Sequence, residues 1–157
     1  METRSTQKNI LIIYHSQGGT MAKMAARFAA GARKETAVET VCKKAMEATV
    51  DDLLRCNAIA IGSPEYFGTM AGMVKDFFDR TYQIACDRTI GLPYVVFVCA
   101  GNDGRGAIAQ IDRLATGYKW RKAQEDVRIT GVPAEEDLAR LEEMGQTLAA
   151  GIDFGIF

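Results

Sequence analysis

Three stretches of this chain, Asn9–Tyr14, Asn57–Gly62 and Tyr94–Ala100, are nearly continuous apolar runs of six or seven residues bounded by turn-forming polar segments. A strand that is apolar at almost every position has no face left for water, so it must lie in a sheet covered on both sides. Two further strand candidates, Ala37–Cys42 and Val127–Thr130, are less apolar. Between strands the apolar period lengthens to that of a helix. Met21, Met24, Ala25, Phe28 and Ala32 form one stripe, and Met70, Met73, Val74, Phe77 and Phe78 a second. Ile108, Ile111, Ala115 and Tyr118 form a third, and Leu138, Leu141, Leu148 and Ile152 a fourth. Thr49 followed by Asp52 and Leu53 predicts a short capped helix between the second and third strands. Five βα units in regular alternation imply right-handed crossovers and a doubly wound, five-stranded parallel α/β sheet with helices on both faces. The order 2-1-3-4-5 puts the reversal between the first and third strands, where the loops after strands one, three and four converge. No Pro/Ser-rich linker or repeat interrupts the series, so residues 1–157 are expected to form one domain.

The first of those loops joins an apolar strand to an amphipathic helix through Tyr14-His15-Ser16-Gln17-Gly18-Gly19-Thr20. A Ser/Gly/Gly/Thr turn at a helix N-terminus offers unpaired backbone N–H groups, two hydroxyls and the positive end of the helix dipole, which together favour an anion. It contains no Lys or Arg and lacks the Gly-Lys-Ser/Thr ending of a nucleoside triphosphate loop. His15, the only histidine, reads as a satisfied loop side chain. The second loop, Gly62-Ser63-Pro64-Glu65-Tyr66-Phe67-Gly68-Thr69, places two adjacent aromatics in a Gly/Pro-bounded turn. Both cannot readily enter the core, and they suit stacking on a planar ligand. The third, Ala100-Gly101-Asn102-Asp103-Gly104-Arg105-Gly106, is rich in backbone donors and poor in bulk.

Composition narrows the function classes. A formal net charge of -1 gives no electrostatic case for nucleic acid, and no apolar stretch approaches the ~20 residues of a membrane span. The segment Met1–Gln7 is polar and lacks the apolar core of a signal peptide, so a cytoplasmic location is expected. Cys42, Cys56, Cys86 and Cys99 are scattered without a CxxC or Cys/His pattern, as free thiols of a reducing compartment would be, and no metal site is expected. Tyr118 and Trp120 are expected to pack locally or at a subunit contact, and the apolar end Ile152–Phe157 to dock on the sheet or on a neighbouring subunit.

The three loops, in this order and after these strands, resemble those of the flavodoxin-like FMN proteins. The resemblance is nearest to NADPH-dependent FMN reductases and NAD(P)H:quinone oxidoreductases of the tryptophan-repressor-binding-protein type. It implies FMN as cofactor. Its phosphate would lie on Ser16, Gln17, Gly18, Gly19 and Thr20 with the amide of Met21, and its isoalloxazine beside Pro64, Glu65, Tyr66, Phe67, Gly68 and Thr69. Ala100, Gly101, Asn102, Asp103 and Gly104 would bracket the pyrimidine side, with the amides of Gly101, Asn102 and Gly104 offsetting charge on the reduced ring. NADPH or NADH is the implied donor and a quinone, free flavin or similar small molecule the acceptor. A redox protein as partner, and a homo-oligomer, are also compatible with it. The segment from Met70 to Arg80 is similar to the family's helix after the second loop.

Two other functions fit parts of the pattern. A flavodoxin-type carrier would have no substrate of its own and would use an acidic face to steer partners, which a net charge of -1 does not favour. Cys99 and Arg105 match the Cys-x5-Arg spacing of a tyrosine phosphatase, whose thiolate attacks phosphorus while the Arg clamps the phosphate oxygens. Gly106 stands where a hydroxyl residue would be expected, and Cys99 ends an apolar run as a buried small hydrophobe would.

Overall fold

In the computed structural model, which describes residues 7–157, the chain runs β1 (Asn9–Tyr14), α1 (Thr20–Ala32), β2 (Glu39–Lys44), α2 (Val50–Arg55), β3 (Ala58–Tyr66), β4 (Thr69–Met70), α3 (Gly72–Ala85), β5 (Pro93–Ala100), α4 (Arg105–Gly117), β6 (Arg121–Lys122), β7 (Val127–Thr130) and α5 (Glu135–Asp153). Residues 1–6 of the polar amino-terminal segment lie outside the described residues. The sheet order is β2-β1-β3-β5-β6, with β7 also on β5 and β4 folded back on β3. All pairings except β3–β4 are parallel. The expected order 2-1-3-4-5 is therefore present, with the fifth strand divided into two short segments along β5. Among the described residues no helix is long and apolar enough to cross a membrane.

The apolar runs are buried on both faces, and their alternation sorts them into two cores. Leu11, Ile13, Ile59, Ile61, Val96 and Val98 pack with Leu53, Val74, Phe77 and Ile111 of α2, α3 and α4. Ile10, Ile12, Ala58, Ala60, Val95 and Phe97 pack with Met24, Phe28, Leu141 and Leu148 of α1 and α5. Each fully buried Leu, Ile or Phe contributes about 1.5–3 kcal/mol relative to an exposed one, so these two layers dominate the stability. Tyr118 and Trp120 belong to the first core, their ring centroids 4.6 Å apart. Phe157 packs against the second, while Phe154 and Ile156 are exposed.

Helices α1 and α5 approach closely because Gly145 lacks a side chain: a Cβ there would overlap the Phe28 carbonyl oxygen. Gly145→Val is expected to force the helices apart and destabilise the fold by about 3 kcal/mol. That lowers the melting temperature by roughly 6–12 °C for a domain of this size. An unchanged calorimetric midpoint would contradict this packing.

Several local expectations are corrected. The second strand begins two residues later than expected, at Glu39, because its ladder with β1 pairs Asn9 with Glu39 through Tyr14 with Lys44. On this edge the hydrogen-bond register, and not apolarity, sets the boundary. Lys43 is included, and its ammonium bonds both carboxylate oxygens of Asp52 at 3.0 Å. Asp52 in turn completes the expected cap of α2: Thr49 Oγ1 accepts from Asp52 N and Asp52 Oδ2 accepts from Thr49 N. The third helix starts at Gly72, not Met70, because Met70 is drawn into β4 and its N–H donates to Gln110 Oε1 at 2.9 Å. Met73, placed in the buried stripe by periodicity, is exposed.

The largest correction concerns the second loop. β3 does not end at Gly62 but continues to Tyr66, and Phe67-Gly68 turns the chain back into β4. Both turn residues have positive φ, 53° and 74°, as in a type I′ hairpin turn. For Phe67 this left-handed conformation costs about 1–2 kcal/mol. Thr69 Oγ1 donates to the Tyr66 carbonyl at 2.9 Å and closes the turn.

Candidate functional site

The carboxyl ends of β1, β3 and β5 carry the three loops, and direct contacts join them. His15 N donates to the Gly62 carbonyl at 3.3 Å, and its ring stands edge-on to Tyr66 with centroids 6.2 Å apart. The first loop therefore borders the hairpin. Gly19 caps α1 with φ 96°, a left-handed conformation suited to glycine, and has no side-chain cap. Its N–H donates to Ser16 Oγ at 3.1 Å, so the hydroxyl retains its own proton. The N–H groups of Thr20, Met21 and Ala22 open the helix and have no intrahelical acceptor. Gln17, Gly18, Gly19 and Thr20 are exposed, while the Met21 side chain is buried and leaves only its amide for the loop. Here α1 presents a cluster of donors with no carboxylate in its first turn.

The hairpin is fastened on its other side to α4. Glu65 Oε2 accepts the Ala107 N–H at 3.0 Å, a carboxylate on the positive end of a helix that has no side-chain cap of its own. Gly106 lies against the turn, where a Cβ would overlap the Gly68 carbonyl oxygen. Gln110 Oε1, one turn further along α4, holds Met70. Ser63, fully buried, accepts from Ala71 N at 2.9 Å and donates to the Pro64 carbonyl at 2.7 Å, which anchors the base of the hairpin. Tyr66 is half-buried; burial and the neighbouring Cys99 push its phenol up, so it is neutral at physiological pH. Phe67 is fully exposed at the tip.

In the third loop Ala100 and Gly104 are buried and Gly101, Asn102 and Asp103 exposed. The carboxylate of Asp103 accepts the Arg105 N–H at 2.9 Å, and its carbonyl accepts from Arg128 Nη1 at 2.7 Å. Cys99 belongs to β5, in register with Pro64, and burial raises its thiol. A phosphatase loop needs the opposite shift, and the Arg105 side chain is exposed, so the Cys-x5-Arg spacing does not form that site.

Glu65 and Asp103 thus have structural partners that reading along the chain did not assign, and Gly106, Gln110 and Ser63 were missed. The available signal was Gly104-Arg105-Gly106, a helix start that lacks Ser, Thr, Asp or Asn at the capping position and needs an acceptor from elsewhere for its free N–H groups.

Comparison with known proteins adds family membership to this geometry. The profile of the family described as NADPH-dependent FMN reductase matches residues 31–124, more than half of the chain. The chain belongs to this family. The matched segment of this FMN-reductase family member contains the hairpin and the third loop, whereas the loop at 16–20 lies ahead of it. Among curated relatives, an NAD(P)H dehydrogenase (quinone) of Paracoccus denitrificans (strain Pd 1222) is 34% identical over 128 residues, covering 69% of this chain and 62% of that protein. A flavodoxin of Aquifex aeolicus (strain VF5) is 39% identical over 70 residues, 45% of this chain and 38% of that one. The chain thus spans less than two thirds of the length of these relatives. An archaeal flavodoxin structure superposes with a TM-score of 0.83 at 21% identity, covering 92% of this chain and 99% of that one. A flavodoxin, WrbA-like protein from Agrobacterium tumefaciens gives 0.78 at 18%, covering 93% and 98%. At these identities the superpositions establish the flavodoxin-like fold.

Proposed function

We propose that this chain binds FMN across its three loops and acts as an NAD(P)H-dependent reductase of a quinone, free flavin or similar small acceptor. The observation that carries the reading is the donor set of the first loop. Backbone N–H groups of Thr20, Met21 and Ala22, with the hydroxyls of Ser16 and Thr20 and no Lys or Arg between His15 and Thr20, open a 13-residue helix at the β1–β3 reversal. Such a set suits a phosphate monoester held by amides and dipole. Bound FMN would supply the hydride-accepting ring and its two-electron chemistry.

The chain's own residues bind and orient. Ser16, Gln17, Gly18, Gly19 and Thr20, with the Met21 amide, hold the phosphate. The hairpin from Pro64 to Thr69 borders the ring, with Tyr66 offering an apolar face and Glu65 keeping the hairpin fixed to α4. Ala100–Gly104 line the polar edge, and the amides of Gly101 and Asn102, both exposed, compensate negative charge there without a cation. The family match and the NAD(P)H dehydrogenase (quinone) relative support nicotinamide as donor and a quinone as acceptor. The four free cysteines suit a reducing cytoplasm.

The carrier alternative draws on the Aquifex flavodoxin similarity and is separated by one experiment. Protein loaded with FMN and mixed anaerobically with NADPH or NADH is expected to lose its visible flavin band within turnover time, and to regain it when a quinone is added. A flavin that neither nucleotide bleaches would make this chain an electron carrier.

A further inference from the structure

The third loop is held from one side by the strand next to it. Gly131, just past β7, donates its N–H to the Ala100 carbonyl at 3.0 Å, and Arg128 Nη1 donates to the Asp103 carbonyl at 2.7 Å. In the β5–β7 ladder Arg128 stands opposite Val98 and Thr130 opposite Ala100. Val127 and Ile129 are buried in the core beneath α1 and α5, so alternation along the strand sends the Arg128 side chain to the α4 side of the sheet. It lies where the loop enters that helix: a Cβ on Gly104 would stand 3.8 Å from Arg128 Cδ and 3.0 Å from Val98 Cγ1.

Holding these two carbonyls fixes two peptide planes. In a trans peptide the N–H points opposite to the C=O, so carbonyls of Ala100 and Asp103 drawn toward β7 turn the N–H groups of Gly101 and Gly104 away from it. Neither N–H donates to an acceptor among the described residues. Gly104 is buried, and a buried backbone donor that lacks an acceptor is rare unless a ligand supplies one. The two holds differ in kind. That of Gly131 belongs to the backbone, whereas that of Arg128 belongs to a side chain that pairs with no carboxylate among the described residues. Asp103 uses its own carboxylate on the Arg105 N–H at 2.9 Å, which leaves its carbonyl to the guanidinium.

We propose that Arg128 is a positioning residue for the flavin ring: by holding the Asp103 carbonyl it aims the Gly104 N–H, beside that of Gly101, at the pyrimidine edge where negative charge gathers on reduction. This rests on the FMN reading above. Arg128 acts through the peptide it holds and touches no cofactor atom. An aimed amide stabilises the charged, reduced ring more than the neutral, oxidised one, so Arg128 sets the redox potential of the bound cofactor more than the affinity for its oxidised form.

The midpoint potential of bound FMN, followed spectrally in an anaerobic reductive titration against a reference dye, tests the assignment. In Arg128→Met, which keeps an aliphatic stem and loses the donor, reduced FMN is expected to lose about tenfold in affinity relative to oxidised FMN, which lowers the two-electron midpoint by about 30 mV. Oxidised FMN should bind within about twofold of the parent, and Arg128→Lys, which can still donate to one carbonyl, should recover part of the shift. The shift should persist in about 1 M salt, where exposed charges are screened beyond about 3 Å. Three results would overturn the proposal: an unchanged midpoint, an equal loss of affinity for both oxidation states, or a shift that salt abolishes. The second would make Arg128 a purely structural prop, and the third a charge acting at a distance. A parent protein that binds no FMN would count against the reductase reading by itself, and the hold is then read on the flavin-free chain. Trypsin should cut after Arg105 several times faster in Arg128→Met than in the parent, and equal rates would overturn the hold.

Discussion

Thr20→Glu is expected to abolish FMN binding while leaving the fold intact. Thr20 is the first residue of α1, exposed, and flanked by the amides assigned to the phosphate. A carboxylate there meets a phosphate dianion at close range, and like charges so placed cost several kcal/mol, more than a hundredfold in affinity. The same carboxylate lies at the positive end of a helix whose first turn holds no acid, where it stabilises the helix by about 0.3–1 kcal/mol. Binding and stability should therefore move in opposite directions, which separates loss of a site from loss of a fold. Flavin fluorescence quenching measures the first and thermal melting the second. Thr20→Ser, which keeps the hydroxyl, should bind nearly as the parent does. A Thr20→Glu protein that binds FMN at parental strength would move the phosphate away from this loop and remove the basis of the proposed function.

Gly106→Ala should release the hairpin. A Cβ at this position overlaps the Gly68 carbonyl oxygen and lies 3.3 Å from Glu65 Oε2, so either the turn or the first turn of α4 must shift. Overpacking of backbone against backbone costs about 1–3 kcal/mol, a melting shift of roughly 2–12 °C at this size. The Glu65–Ala107 and Met70–Gln110 hydrogen bonds, which depend on the same docking, weaken with it. Phe67, exposed at the tip, provides a local readout. Chymotrypsin should cut there slowly in the parent, where the turn is held between β3, β4 and α4, and several times faster in the variant. FMN affinity should fall in parallel if Tyr66 borders the ring. Parental melting and cleavage rates in Gly106→Ala would show that α4 does not clamp the hairpin.

The central strands were legible because continuous apolarity is a local property with one structural solution: Asn9–Tyr14 is found unchanged as β1, and Tyr94–Ala100 differs from β5 by one residue. The stripes of α1, α4 and α5 were legible for a related reason, since one buried face repeats every 3.6 residues. Boundaries failed where apolarity was not the controlling force. β2 shifted because an edge ladder tolerates Lys43 and Lys44, and Met73 is exposed because it lies about 100° round α3 from the centre of the buried set Val74, Phe77, Phe78, Thr81 and Ala85. The hairpin was hidden because its turn uses Phe where Asn would have announced it.

For the site, the chain's own order of residues specified a donor-rich, cation-free loop at the mouth of α1, since each amide needed there is supplied by neighbours a few positions apart. It also specified that Tyr66 and Phe67 could not both be core. What only the folded chain decided is how these loops are held: Glu65 reaching 42 residues along the sequence to cap Ala107, Gly106 meeting Gly68, and Gln110 gripping Met70. Those contacts join elements whose separation along the chain carries no periodic signal. They exist because parallel strands bring the ends of β3 and β5 side by side, where an uncapped helix and a protruding hairpin satisfy each other.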